Sequence, residues 1–273
     1  MVTNIRAELV KQVRRPAVWL LLAVAVSLSL TFGYLIPYTG YTGTASGAPG
    51  SDRGLAAMLP ESFVGSAVGG LPVFAGALAL IFGVLVAGSE YGWQTWKTVL
   101  AQRPARLTVY AAKLVTAAAG TLAGVLTLLA AAAVASAAVA AVEDAPLDWP
   151  GPADLALGVG GAWLIALMWA ALGVALAIAL RAVALPIGLG LVWLLAAQNL
   201  LASIAAPLID WIAEAQKILP GPNAGAMAAA LGAADAPGVD PIVSSGHAAI
   251  VMAAYLLAFC VAGGWLLRSR DIT

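Results

Sequence analysis

Only a few residue types in this sequence could carry bond chemistry, and two of the most versatile occur once each. The 273 residues include one histidine, His247, and one cysteine, Cys260. A zinc site needs about three or four ligands drawn from histidine, cysteine and carboxylates, so a cluster of histidine ligands is excluded. A lone cysteine also excludes an intrachain disulfide. We therefore expect no metal cofactor in this chain.

Two segments are similar to motifs of the membrane phosphatidate phosphatases: SSGHA at 244–248 and KTVLAQRP at 97–104. The similarity is partial, because the spacing between the lysine and the Arg-Pro pair is one residue shorter here. Those enzymes also need a second histidine as nucleophile, and His247 cannot be both the nucleophile and the acid for the leaving group. Ser244 to Gly246 are instead predicted to cap the last helix. A membrane-embedded lipid phosphatase is kept as the enzyme alternative.

The lysines do not form a nucleotide-binding loop. Such a loop places a glycine directly before Lys-Ser or Lys-Thr, and none of the four lysines follows a glycine. Energy for any transport would therefore come from another polypeptide or from an ion gradient. Ion-coupled carriers hold ionisable groups near the membrane midplane, at a cost of about 2.5–3.5 kcal/mol each. The apolar runs contain none near their centres, which argues against an ion-coupled secondary carrier. That carrier is kept as the other alternative.

The composition places most of the chain in lipid. Hydrophobic residues make up 62% and charged residues 10%, whereas soluble domains carry roughly 25% charged residues. A helix that crosses the hydrocarbon needs about 20 apolar residues, and the first run is too long for the core of a signal peptide, which has roughly 7–15. We predict one all-α transmembrane domain over 1–273. Its six spans are predicted at 17–36, 69–87, 114–141, 155–180, 183–206 and 248–267.

The distribution of basic residues predicts the orientation. Eleven of the thirteen lysines and arginines fall before span one, between spans two and three, between spans four and five, or after span six. Only Arg53 and Lys217 fall on the other side. Because basic loops stay in the cytoplasm, both termini are predicted to be cytoplasmic in a multi-pass protein of the plasma membrane.

Two shorter segments have helical amphipathic patterns. At the amino terminus, Ile5, Leu9 and Val13 share one face, and charged residues occupy the other, which predicts a helix along the membrane surface. Segment 207–220, between spans five and six, places Asp210 and Glu214 opposite Trp211 and its apolar neighbours. It is predicted to be a small extracellular helix.

The segment between spans two and three, GSEYGWQTWKTVLAQRPARLTVYAAK at 88–113, also has a helical pattern. Trp93, Trp96 and Leu100 recur at spacings of three and seven, and Pro104 would end the helix. By spacing alone, this helix could simply lie among lipid headgroups.

The same segment resembles the ABC-2 type permease family, the membrane subunits of ATP-binding-cassette exporters. The resemblance lies in Gly-x-Glu-Tyr-x-Trp-x-Thr from Gly88, then Lys-Thr-Val-Leu, Pro104, Arg106 and Lys113, and it extends to the six-span layout and the Arg-Asp-Ile ending. In that family this helix couples to the ATPase subunit. The residues that the resemblance assigns to ATPase coupling are Glu90, Tyr91, Trp93, Thr95, Trp96, Lys97, Pro104 and Arg106.

The resemblance implies a permease that moves an amphipathic or hydrophobic substrate and has no catalytic residue of its own. Two copies of a separate ATPase would bind ATP and Mg²⁺, so no cofactor is expected in this chain. A second permease subunit, giving a homodimer, and membrane lipid are the other expected partners, and nucleic acid is not. Gln198 and Asn199 would line the translocation path, although hydrogen bonds between helices, worth about 0.6–2 kcal/mol, explain such polar residues equally.

Overall fold

The computed structural model describes residues 2–44, 47, 50–92, 105–205, 208–234 and 236–269, and these residues form helices and connecting turns without a strand. We number the helices in chain order. They are α1 (Val2–Val13), α2 (Pro16–Tyr41), α3 (Phe63–Val68), α4 (Phe74–Gly92), α5 (Arg106–Val142), α6 (Pro152–Leu180), α7 (184–205), α8 (Asp210–Ala215), α9 (Pro220–Ala230) and α10 (Ser245–Ser269).

Five of the described helices are long and apolar enough to cross a membrane: α2, α4, α5, α6 and α10. The predicted apolar runs therefore correspond to helices, with ends that shift by several residues. Helix α5 has 37 residues and a length of about 55 Å. This exceeds the roughly 30 Å of the hydrocarbon, as expected for a span that tilts or projects beyond it.

Helix α7 corresponds to the predicted fifth span, but it is not a uniform α-helix. It is α-helical at Ala184–Leu191 and Gln198–Leu200, and π-helical at Val192–Ala197 and Leu201–Ala205. Its uninterrupted apolar part, Ala184–Leu200, is shorter than the five long spans. Its shorter length distinguishes it from the five, since α2 also contains a π-helical stretch, at Thr31–Leu35.

Helix α6 is the centre of the bundle, where it packs against α4, α5 and α10. Trp169 in its middle is fully buried. Two glycines allow α4 and α6 to approach closely: a Cβ on Gly83 would lie 2.0 Å from the Ala170 oxygen, and one on Gly173 would lie 2.2 Å from the Leu80 oxygen. No larger side chain fits there without moving the backbone, so glycine sets this helix spacing.

Two glycines four residues apart in α5, Gly120 and Gly124, differ in how closely they are packed. A Cβ on Gly120 would come within 2.3 Å of the Phe82 ring, whereas one on Gly124 would meet nothing within 4 Å. Nearby, the Trp163 indole donates to the Thr121 hydroxyl over 3.2 Å and to the Ala118 carbonyl over 3.0 Å. A polar residue inside α5 thus takes part in a hydrogen bond between helices.

The connections gather at two ends of the bundle. The end of α4 lies beside the turn between α6 and α7, since Gly88 approaches the Ala182 oxygen. Arg106, at the start of α5, donates to the Leu267 and Arg268 carbonyls at the end of α10, over 3.5 Å in each case. Helix α1 also packs here, against α5. We call this the α1 end.

The opposite end holds the longer connections. Tyr38 donates to Glu143 over 2.8 Å. The His247 ring nitrogen lies 3.0 Å from the Lys217 carbonyl oxygen, which brings the α8 region to the start of α10. The predicted amphipathic helix is present as α8: Ile212 faces the protein, and Trp211 is 71% exposed. The buried helix α9, which follows it, had no counterpart in the sequence analysis.

Candidate functional site: a buried ion cluster at the α1 end

Four oppositely charged side chains meet where α1 packs against the end of α4 and the start of α5. Glu8 and Lys11 come from α1, Glu90 from the last turns of α4, and Lys113 from the third turn of α5. Glu90 is 2% exposed and Lys113 is 1% exposed. We call these four residues the ion cluster.

Antiparallel geometry explains why the motif residues Glu90 and Lys113 meet. Helix α4 ends where α5 begins, at the same end of the bundle, so residues near these two helix ends lie side by side. Lys113 Nζ donates to Glu90 Oε1 over 3.2 Å, to Glu8 Oε2 over 3.3 Å and to the Val86 carbonyl over 3.0 Å. All three ammonium donors therefore have acceptors.

Lys11 completes the cluster from its more exposed side. Its Nζ donates to Glu8 over 2.9 Å and also to Glu90. Burial lowers the pKa of Lys11, but the hydrogen bonds and charges of Glu90 and Glu8 outweigh burial and raise the pKa above its usual 10.5. Lys11 is therefore charged at any physiological pH.

Arg15 ties the end of α1 to α4. Its Nη1 donates to the Leu85 carbonyl over 2.8 Å and lies 3.4 Å from Gln12 Oε1. Burial lowers the pKa of Arg15, and the charges of Glu90 and Glu8 oppose this effect. Three basic side chains, Lys11, Lys113 and Arg15, thus act on the two carboxylates.

The cluster is suited to positioning and not to bond chemistry. Its two carboxylates and two ammonium groups balance, and each carboxylate is held by lysine. Taking a charge out of water costs several kcal/mol, which only good partners repay. Loss of a single partner would therefore leave an uncompensated buried charge and loosen three helices together.

The structure describes three of the residues that the resemblance assigned to ATPase coupling. Glu90 is buried in the ion cluster, Tyr91 packs partly buried against the core, and Arg106 binds the carbonyl end of α10. All three lie at the ends of the segment that connects α4 and α5: Glu90 and Tyr91 precede it, and Arg106 follows it. Trp93, Thr95, Trp96, Lys97 and Pro104 lie outside the described residues.

The sequence analysis missed the contribution of α1. The amphipathic pattern predicted only a helix along the membrane surface, but Glu8 and Gln12 are buried and Val13 is 60% exposed. Glu8 packs inward because its partner Lys113 is charged, and Val10 and Val13 are exposed. The available signal was the acidic residue Glu8 in α1 together with the lysine directly before predicted span three, Lys113.

The predicted path residues lie in the opposite half of the molecule. Gln198 and Asn199 both line a cavity of about 430 Å³ between α7 and the α9 region. Gln198 is 3% exposed, and its Oε1 accepts from the Gly221 backbone N–H over 2.6 Å. Asn199 donates to the Leu195 carbonyl within α7 over 2.9 Å.

His247 has a structural explanation at the start of α10. Its backbone N–H lies 3.4 Å from the Ser244 hydroxyl oxygen, in agreement with the predicted cap. The side chain is exposed, and its ring nitrogen lies beside the Lys217 carbonyl. Lys97 and Arg103, the other residues of the phosphatase alternative, lie outside the described residues.

Five long apolar helices in the described part of the chain are those of a multi-pass helical membrane protein. The family model for ABC-2 family transporter protein matches residues 4–197, which is well over half of the 273 residues. The chain belongs to this family, and the resemblance read from the sequence is confirmed. Members are membrane permeases, not enzymes in themselves. No curated protein matches the chain.

Proposed function

We propose that this chain is the permease subunit of an ATP-driven exporter whose ATPases are separate polypeptides. Family membership supports a permease. The absence of a glycine before any of the four lysines supports an ATPase in trans. In this proposal two ATPase subunits bind ATP and Mg²⁺, and this chain does no bond chemistry.

In the proposed topology the chain crosses the plasma membrane six times, and both termini lie in the cytoplasm. Helix α7 would add a crossing to the five long helices. It starts beside Gly88 at the α1 end, and its Gln198 binds Gly221 in the opposite half. The described segments that carry most basic residues share the α1 end, which agrees with a cytoplasmic α1 end.

The observation that carries the proposal is the ion cluster. The segment 93–104 is attached to the bundle through Glu90 on one side and Arg106 on the other. An ATPase that pushes this segment would act on α1, α4 and α5 as one unit, because buried ion pairs hold them together. In this proposal Glu90 and Lys113 are positioning residues, and 93–104 supplies the contact with the ATPase.

The proposed transport unit contains two copies of this chain. ATP-driven closure of the ATPases would switch the paired bundles between two arrangements, with energy from the difference in ATP affinity between them. Gln198 and Asn199 would line the path, next to the 430 Å³ cavity. The apolar spans favour an amphipathic or hydrophobic substrate.

The test is to purify the chain from its native membrane in mild detergent and identify the proteins that remain bound. We expect a stoichiometric soluble ATPase whose activity rises with the permease. Recovery of the chain alone from repeated lipid-containing preparations would refute the proposal.

The positioning role is tested by Glu90→Gln, with Glu214→Gln as the matched control. Glu214 forms an exposed ion pair with Lys217 over 2.6 Å. Glu214→Gln therefore removes one carboxylate charge, as Glu90→Gln does, but leaves the ion cluster intact. We expect Glu90→Gln to reduce ATPase stimulation by about tenfold or more, since tenfold corresponds to 1.4 kcal/mol and a broken buried pair costs about 3–5 kcal/mol. Rates are compared at a temperature where both variants are folded. Equal stimulation by both variants would refute the role of Glu90.

A further inference from the structure

A cavity of about 280 Å³ lies between α2 and the rest of the bundle, next to the end of α1. Its walls come mainly from α1, α2, α4 and α5, with Ala166 from α6, and are almost entirely apolar. For comparison, a 150 Å³ apolar cavity in a soluble protein holds benzene. The space is therefore large enough for a chain of several methylene groups.

The cavity is elongated along the bundle. On α5 its wall runs from Thr116 to Leu128, a rise of about 18 Å at 1.5 Å per residue. One leaflet contributes half of the roughly 30 Å hydrocarbon, or about 15 Å. The length of the cavity thus matches one acyl chain of a membrane lipid.

Lipid has access to this space. Helix α2 is peripheral, since none of the residues Pro16–Leu30 is buried, and the cavity is partly open along its wall. Large apolar side chains such as Trp19 and Leu20 are more than half exposed next to it. In a bilayer, acyl chains are the surrounding solvent here.

Two buried polar atoms in the wall have no hydrogen-bond partner among the described residues. They are Gln12 Nε2 and Thr116 Oγ1, in side chains that both line the cavity. Gln12 is 4% exposed and Thr116 is 1% exposed, and an unsatisfied buried polar group is unfavourable. Both atoms lie at the α1 end of the cavity, where the ester groups of a lipid would be.

We propose that this cavity binds one acyl chain of a membrane phospholipid, whose ester carbonyl accepts a hydrogen bond from Gln12. The apolar wall buries the chain, and the ester group satisfies a donor that the protein leaves unpaired. The inference depends on the chain being in a bilayer and not on the exporter proposal.

The chain offers a matched pair of variants. Gly124 lines the cavity, and a Cβ there meets nothing within 4 Å, so Gly124→Leu should fill the cavity without a clash. Gly160, in α6, is exposed and also has open space. Gly160→Leu therefore makes the same change in a spanning helix away from the cavity.

The full chain is reconstituted in vesicles of phosphatidylethanolamine and phosphatidylglycerol that contain a phosphatidylethanolamine with a diazirine on one acyl chain. After irradiation, cross-linked peptides are mapped by mass spectrometry. We expect cross-links on the cavity-facing residues of α4 and α5 in the wild type and in Gly160→Leu, and their loss in Gly124→Leu. Equal cross-linking in all three proteins, or cross-links spread evenly over the bundle surface, would overturn the proposal.

Gln12→Leu gives a second, independent measurement. If a lipid ester binds Gln12, the variant should retain labelled lipid in detergent up to about tenfold less well, as expected for one lost hydrogen bond. If the cavity is empty, removal of an unpaired amide should instead raise the unfolding temperature and leave retention unchanged. Recovery of a non-lipid amphiphile in place of phospholipid from the purified wild type would also overturn the proposal.

Discussion

The ion cluster predicts a large and strongly non-additive loss of stability when its charges are removed. Lys113→Met removes an ammonium group that is 1% exposed and donates to two carboxylates and a carbonyl. Methionine has a similar length, so packing changes little, but Glu8 and Glu90 then lose an ion-pair partner that they shared. Removing one partner of a buried ion pair costs about 3–5 kcal/mol.

The double variant tests whether charge balance is the cause. Glu90→Gln combined with Lys113→Met removes one charge of each sign and leaves Glu8 paired with Lys11 over 2.9 Å. Groups in one ionic network show coupling energies of about 0.5–3 kcal/mol. We therefore expect the double variant to lose less unfolding free energy than the sum of the losses in the two single variants.

Thermal unfolding in one detergent, followed by tryptophan fluorescence, is the assay. Each kcal/mol corresponds to about 2–4 °C for a chain near this size, so either single variant should lower the midpoint by roughly 6–20 °C. The control Glu214→Gln should move the midpoint little, because exposed pairs are worth about 0.2–1 kcal/mol. Additive shifts in the double variant, or single shifts no larger than that of the control, would refute the reasoning.

Two further predictions concern packing and pH. Gly173→Ala should reduce the yield of monodisperse protein in size-exclusion chromatography, because its Cβ would lie 2.2 Å from the Leu80 oxygen. Gly188→Ala should not reduce the yield, because a Cβ at Gly188 meets nothing within 4 Å. Equal yields would contradict the packing argument. Because the folded state raises the pKa of Lys11 above 10.5, its contribution to stability is complete below that pH and is lost as pH rises through the folded value. The midpoint difference between wild type and Lys11→Met should therefore shrink only above pH 10.5, and a difference that vanishes near neutral pH would contradict it.

Apolar length and composition were enough to predict the helical bundle. Five of the six predicted runs correspond to helices long and apolar enough to cross a membrane, α2, α4, α5, α6 and α10, because a helix that spans lipid satisfies its own backbone hydrogen bonds. The other run corresponds to the shorter helix α7. Hydropathy does not fix where such a helix stops, and α5 begins eight residues earlier than predicted, at Arg106. It also gives no sign of the π turns in α7, which depend on local packing.

The candidate site was only partly predictable. The family motif indicated Glu90 and Lys113 but not their direct contact, which comes from the antiparallel arrangement of α4 and α5. The role of α1 was missed because periodicity identifies faces and not which face is buried. Ordinary amphipathicity directs apolar residues inward, but a charged partner such as Lys113 reversed this at Glu8.

The ion cluster also has a consequence for the order of events during synthesis. Glu8 binds Lys113, which is 105 residues later in the chain, and Lys11 binds Glu90, 79 residues later. Chains grow at about 5–20 residues per second, so α1 waits roughly 5–20 s for its last partner. We expect α1 to leave the ribosome before α4 and α5 and to dock only after α5 has begun to insert. Docking of α1 would then require that α4 and α5 are already correctly placed.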